Sequence, residues 1–166
     1  MDHFEVTQES YQKIIGYNPS FFADKKRPFE KVNWFEAVEY CLKIGKRLPN
    51  EWEWERASRS GGTSKFYWEE KDPKLYSWFK KNSEKQTHPV GQKNPNSYGL
   101  FDMSGNVWEW TDSYHETMSG KVLRGGSWRN SINAMNSSKW ITSLPIYRFH
   151  YVGFRCVSSK LLSNSN

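Results

Sequence analysis

Gly105-Asn106-Val107-Trp108-Glu109-Trp110-Thr111 is the stretch whose reading decides the fold. It ends in alternation, with Val107, Glu109 and Thr111 against Trp108 and Trp110. A period of two is the mark of a β-strand, and the two indoles give that strand one aromatic face. Gly105 just before it allows positive φ or close backbone approach. Downstream, Lys121 to Arg124 reads as a second strand, broken at Gly125-Gly126 by a bulge or tight approach. Val152 to Val157 reads as a last strand. Trp108, Trp110 and Trp128 are expected to be core rings.

Upstream the period changes from two to that of helices. Thr7 is an N-cap candidate, Tyr11, Ile14 and Ile15 make a stripe, and Gly16 stops the run. A second helix begins at Asn33, where Glu36 three residues on completes a variant of the capping box. Trp34, Ala37, Val38, Cys41 and Leu42 recur at helical spacing along it, and Gly45 ends it. A third begins at Asn50 with Glu53 in the same role, carries Trp54 and Ala57 on one side, and closes at Gly61-Gly62. Residues 63 to 95 have little periodicity and read as loops with short strands. Early helices, late strands and long loops make an α+β domain with function on its loops.

The 166 residues fit one domain, expected over 1–160 with a frayed tail at 161–166. Nine Trp, nine Tyr and ten Phe beside a mean hydropathy of -0.89 describe a chain that packs around large rings under polar loops. The net charge is +6, but the lysines are scattered and no nucleic-acid motif accompanies them. No apolar run approaches the length of a membrane helix, and no signal peptide is visible; a soluble protein or a domain of a longer one is expected. Cys41 and Cys156 lack zinc-site spacing and are either buried thiols or one long-range bridge.

Several blocks together resemble the formylglycine-generating-enzyme (sulfatase-modifying factor) family. They are Glu5-Val6-Thr7, Val32-Asn33-Trp34, Arg47-Leu48-Pro49-Asn50-Glu51-Trp52-Glu53-Trp54-Glu55, His88-Pro89-Val90-Gly91, Asn96-Ser97-Tyr98-Gly99-Leu100, Gly105 to Trp110, Arg124-Gly125-Gly126-Ser127-Trp128 and Gly153-Phe154-Arg155. They run in order from about residue 5 to 157. The resemblance implies a C-type-lectin-like fold with two or three short helices, a small antiparallel sheet and long loops. The family's first strand normally precedes the Glu5 block, so a shortened chain or a fragment is expected.

In members that oxidise a sulfatase cysteine, two redox cysteines follow the Gly-Gly-Ser block. Their positions fall here on Asn130 and Met135, which can neither form a thiolate nor bind copper as a thiol pair. The histidines, His3, His88, His115 and His150, show no ligand pair at helical spacing. The chain is therefore expected not to be an enzyme. The resemblance further implies a structural calcium held by the side chains of Asp102 and Glu109 and the carbonyls of Gly105 and Val107, an oxygen set that suits that ion. It also implies a bridge between Cys41 and Cys156, which would fit a secreted or cell-surface setting; two reduced thiols are the alternative.

The last forty residues resemble the variable proteins diversified by retroelements, in which mutation at adenine-rich codons changes exposed residues on a constant scaffold. Arg129-Asn130-Ser131, Ile141-Thr142-Ser143-Leu144, Ile146-Tyr147 and Phe149-His150-Tyr151 contain only residues such mutation reaches, and Pro145 and Arg148 stand between them like fixed positions. Trp140 belongs either to this set or to the core. Rings crowded into such a segment make a binding patch if exposed. The expectation is a recognition domain for an unidentified ligand, a protein or peptide before a glycan, with no role for nucleic acid. A degenerate or accessory member of the enzyme family is the alternative.

Overall fold

A computed structural model describes residues 1–158; the expected frayed tail at 161–166 lies outside the described residues. Three short helices lie in the first sixty residues: α1 (Gln8–Ile15), α2 (Trp34–Lys43) and α3 (Glu51–Arg59). Each starts where a side chain takes over an orphan amide. Thr7 caps α1 through the Ser10 amide, and Asn33–Glu36 and Asn50–Glu53 both close full capping boxes. Gly16 ends α1 and Ser60 ends α3, each in the left-handed conformation. On α2 the buried residues are Ala37, Tyr40 and Cys41. Leu42 is not part of that stripe: it is 63% exposed, on the far side of the helix.

Six strands follow the residue order β1 (Lys46–Arg47), β2 (Trp108–His115), β3 (Gly120–Arg124), β4 (Trp140–Ser143), β5 (Val152–Gly153) and β6 (Val157–Ser158). The larger sheet runs β4-β3-β2-β5. Its first three strands are antiparallel, with Glu109 opposite Arg124 and Leu123 opposite Ile141. The expected antiparallel sheet is thus a mixed one, because β5 joins β2 in parallel. The single expected strand over 152–157 is two short ones in different sheets, since β6 leaves to pair with β1. Between residues 63 and 95 the order is one 3-10 turn at Pro73–Leu75 and an isolated bridge from Trp78 to Gly105.

The aromatic strand does not have one buried and one open face. Trp108, Glu109, Trp110 and Thr111 are all buried, and the alternation of exposure begins only at Asp112. One side is covered by the main core, in which Trp110 joins Tyr11, Phe29, Tyr40 and Phe154. Tyr11 and Phe29 stack at 3.5 Å. The other side is covered by Trp54 of α3, whose Nε1 donates to Glu109 at 2.7 Å. Gly105 shows how close the loops come: a β-carbon there would lie 2.2 Å from the Trp78 carbonyl oxygen, on a backbone of φ +87°.

Cys41 of α2 and Cys156 are joined by a disulfide across 115 residues of chain, with Cα atoms 5.8 Å apart. It ties the helical half to the segment between β5 and β6. Closing so long a loop restricts the unfolded chain by about 4–5 kcal/mol. We expect the Cys41→Ser/Cys156→Ser double variant to remain folded and to lose about that much in urea unfolding; a loss below about 1 kcal/mol would show that the bond adds little to this fold.

Candidate functional site

The family blocks converge on a buried ion cluster. Arg155 makes a two-bond pair with Glu109, Nε to Oε2 and Nη2 to Oε1 both 2.8 Å, and both residues are wholly buried. The remaining guanidinium donors reach the carbonyls of Asp2, His3 and Phe101. Glu5 and Asp102 are buried beside them. Asn106 and the Val107 amide donate to Glu5, and the Gly91 amide donates to Asp102. Burial, then the charges of Asp102 and Glu109, push Glu5 well above the usual carboxylate range.

This geometry bears on the calcium expectation for Asp102, Gly105, Val107 and Glu109. Both Glu109 oxygens are occupied, by Arg155 and by the Trp54 indole. A cation bound there would meet a guanidinium at contact distance, and the carboxylate's charge is already balanced. As arranged, Glu109 offers a cation no oxygen that is not already hydrogen-bonded. Asp102 instead accepts the Gly91 amide from a left-handed backbone, φ 55°.

The two positions matched to the redox cysteines are both structural. Asn130 Oδ1 accepts from the Trp108 indole at 3.0 Å and from the Ser127 amide and hydroxyl. Asn130 is half-buried, and its oxygen holds the loop. Met135 is fully buried with Trp68 and Phe79. A β-carbon on Gly126 would stand 2.6 Å from its sulfur, so the second glycine of the Gly-Gly pair is needed to seat the methionine.

The other residues of the expected binding set divide. Trp140, Ile141, Thr142 and Ser143 form β4, at one edge of the sheet. Trp140 stacks on His115 at 4.6 Å, and Ile141 packs against the core. Residues 144–151 then cross to β5 at the opposite edge. Their backbone is fastened at intervals: the Pro145 carbonyl accepts the Trp34 amide, Arg148 makes two bonds to Glu36, and the Phe149 carbonyl accepts the Lys31 amide. Leu144 just before these fastenings and Ile146 and Tyr147 between them are exposed, as are Arg129 and Ser131. Phe149 and Tyr151 are half-buried, stacked at 5.0 Å and resting on the core.

Arg129 lies over the Tyr151 ring at 4.6 Å, and His150 stands among Trp128, Phe21 and Phe22 at 5.4–6.1 Å. The result is one patch running from Tyr147 through Phe149, Tyr151 and His150 to Phe21. Phe21 is 65% exposed and was not legible in the sequence, because it lies more than a hundred residues away in an unpatterned loop. His88, by contrast, is a packing residue, stacked 3.8 Å from Trp78 with Nε2 against the Ser83 carbonyl.

The loop bearing Phe21 and Phe22 is held by Glu30. Its Oε1 accepts both phenylalanine amides, while Oε2 is buried with no partner among the described residues. Burial pushes the carboxyl up to about 7.

The geometry matches what comparison with known proteins finds. The sulfatase-modifying factor enzyme 1-like domain model matches residues 1–160, so the chain belongs to the formylglycine-generating-enzyme family. Among its relatives is the inactive C-alpha-formylglycine-generating enzyme 2 of Bos taurus, 35% identical over 79% of this chain and 50% of that protein. The chaperone protein LppX of Paenibacillus barcinonensis is 30% identical over 81% and 71%. Among solved structures, variable protein 1 of Treponema denticola superimposes with a TM-score of 0.82 at 30% identity, covering 90% of this chain and 80% of that one. The chain spans about half the length of the inactive-enzyme relative.

Two outcomes follow from this geometry. Glu109→Gln leaves Arg155 buried without its counter-charge, at a cost on the order of 3–5 kcal/mol, while excess chelator leaves the wild-type melting temperature unchanged. A chelator-induced fall would support the calcium assignment. For Glu30, the folded protein favours the neutral acid, so stability is greatest below the unfolded carboxylate range of about 4.5 and declines as pH rises toward about 7. Glu30→Gln should flatten that decline and melt higher than wild type at pH 8; an unchanged slope would show that Glu30 does not titrate in this window.

Proposed function

We propose that this chain is a non-catalytic recognition domain that binds a protein or peptide ligand through Arg129, Ser131 and the segment from Leu144 to Tyr151. The observation that carries the reading is the division of labour in that segment. Pro145 and Arg148 spend their backbone and side-chain groups on α2, and the side chains between them are left outward. Such an arrangement lets the outward residues change at little cost to folding, since substitutions away from buried contacts cost about 0.5 kcal/mol or less. Tyrosine, phenylalanine and arginine supply large contact area per residue. The likeness to a variable protein supports the same reading. Trp140 to Ser143, on the opposite sheet edge, serve the scaffold in this reading.

Side-chain chemistry supports the non-catalytic part of this reading. Asn130 is committed to the Trp108 and Ser127 hydrogen bonds and Met135 to the core, so neither presents a nucleophile or a soft ligand pair.

The test has two arms. A library randomised at Arg129, Ser131, Ile146 and Tyr147 should give mostly folded proteins melting within a few degrees of the parent, and ligand-binding clones should be selectable from it. Widespread unfolding would overturn the display reading. In the second arm the protein, copper and oxygen are incubated with a cysteine-bearing sulfatase-type peptide; we expect no aldehyde by hydrazide labelling, and aldehyde formation would restore the enzyme.

A further inference from the structure

One end of the patch is chemically distinct. Lys80, Ser83, Lys85, Trp128, Arg129 and His150 line an open cavity of about 420 Å³. Lys80, Lys85 and Arg129 are exposed, and Lys31 acts on His150 from the adjoining turn. None of these four cations has an ion pair among the described residues. Among the described arginines, Arg27, Arg47, Arg59, Arg124, Arg148 and Arg155 are paired with carboxylates, whereas Arg129 is not. Two acidic residues stand near. Glu84, exposed between Ser83 and Lys85, acts electrostatically on His88, and Glu30 is buried behind Phe21 and Phe22. Neither bonds to the pocket's cations. Desolvation and the charges of Arg129 and Lys31 hold His150 below its ordinary range, as a region of positive potential should.

We infer that this pocket binds a carboxylate side chain of an acidic peptide segment, with Arg129 as the principal contact and Lys80 and Lys85 at the rim. The inference rests on the recognition reading above and specifies its ligand. Arg129 is the principal contact because its guanidinium is already held over the Tyr151 ring, 4.6 Å from the centroid, and its paired donors match a carboxylate's two oxygens. The lysines are flexible point charges that raise the local concentration of acidic segments. The ring floor of Trp128 and His150, continuing to Phe21, covers the apolar parts of the residues flanking the acid. A peptide is favoured over a nucleic acid because the cations converge on one compact cavity and do not track a groove.

The probe is a short oligoglutamate peptide titrated into the isotopically labelled protein, followed by the indole resonance of Trp128 and the ring resonances of His150. Oligolysine, inorganic phosphate and a single-stranded oligonucleotide are run beside it. We expect oligoglutamate alone to move these resonances, with affinity falling at least tenfold in Arg129→Glu and severalfold in Lys80→Glu/Lys85→Glu, at unchanged melting temperature. Equal response to phosphate, or stronger response to the oligonucleotide, would overturn the carboxylate assignment. No response to oligoglutamate, while library-selected ligands still map to Tyr147 and Tyr151, would overturn this inference and leave the recognition reading standing. Selected ligands mapping to neither would overturn both.

Discussion

The pair between Glu109 and Arg155 governs much else in this structure. A carboxylate and a guanidinium, both without solvent contact, persist in a protein interior only when each oxygen and each N–H is satisfied. Arg155 meets that demand by bonding to Glu109 and to three carbonyls at residues 2, 3 and 101. One side chain near the end of the described chain thus gathers the first residues, the loop before β2 and β2 itself. The Trp54 indole adds α3 to the same point. For a domain with little regular secondary structure, this cross-linking does what long strands and helices do elsewhere.

The same centre explains how the fold relates to the enzymes in its family. The Gly-Asn-Val-Trp-Glu-Trp and Gly-Phe-Arg blocks are structural components, in a chain with Asn130 and Met135 where the resemblance places the redox cysteines. Those two residues are not vacancies. Asn130 bonds the Trp108 indole, and Met135 fills the space that Gly126 leaves open. Both residues are part of the packing.

The surface that remains available is set by what the core takes. Phe149 and Tyr151 rest on the core, and Arg148 and Pro145 hold the backbone to α2. What projects beyond them is aromatic and cationic. Recognition through such a surface combines contact area from rings with steering by charge.

Local patterns in the sequence were enough to determine the helices, since capping and helical period act within a few residues: Thr7, Asn33 and Asn50 each begin one. They also determined the two central strands and, through block order, the family and the meeting of Cys41 with Cys156. Tertiary structure alone decided the rest. Alternation in residues 107–111 could not reveal that α3 covers the second face, nor that Arg155 takes both oxygens of Glu109. The split of residues 152–158 between two sheets depends on β1, over a hundred residues distant. Phe21 and Lys80 entered the candidate site for the same reason: they lie in loops without period, and their positions follow from contacts made across the whole fold.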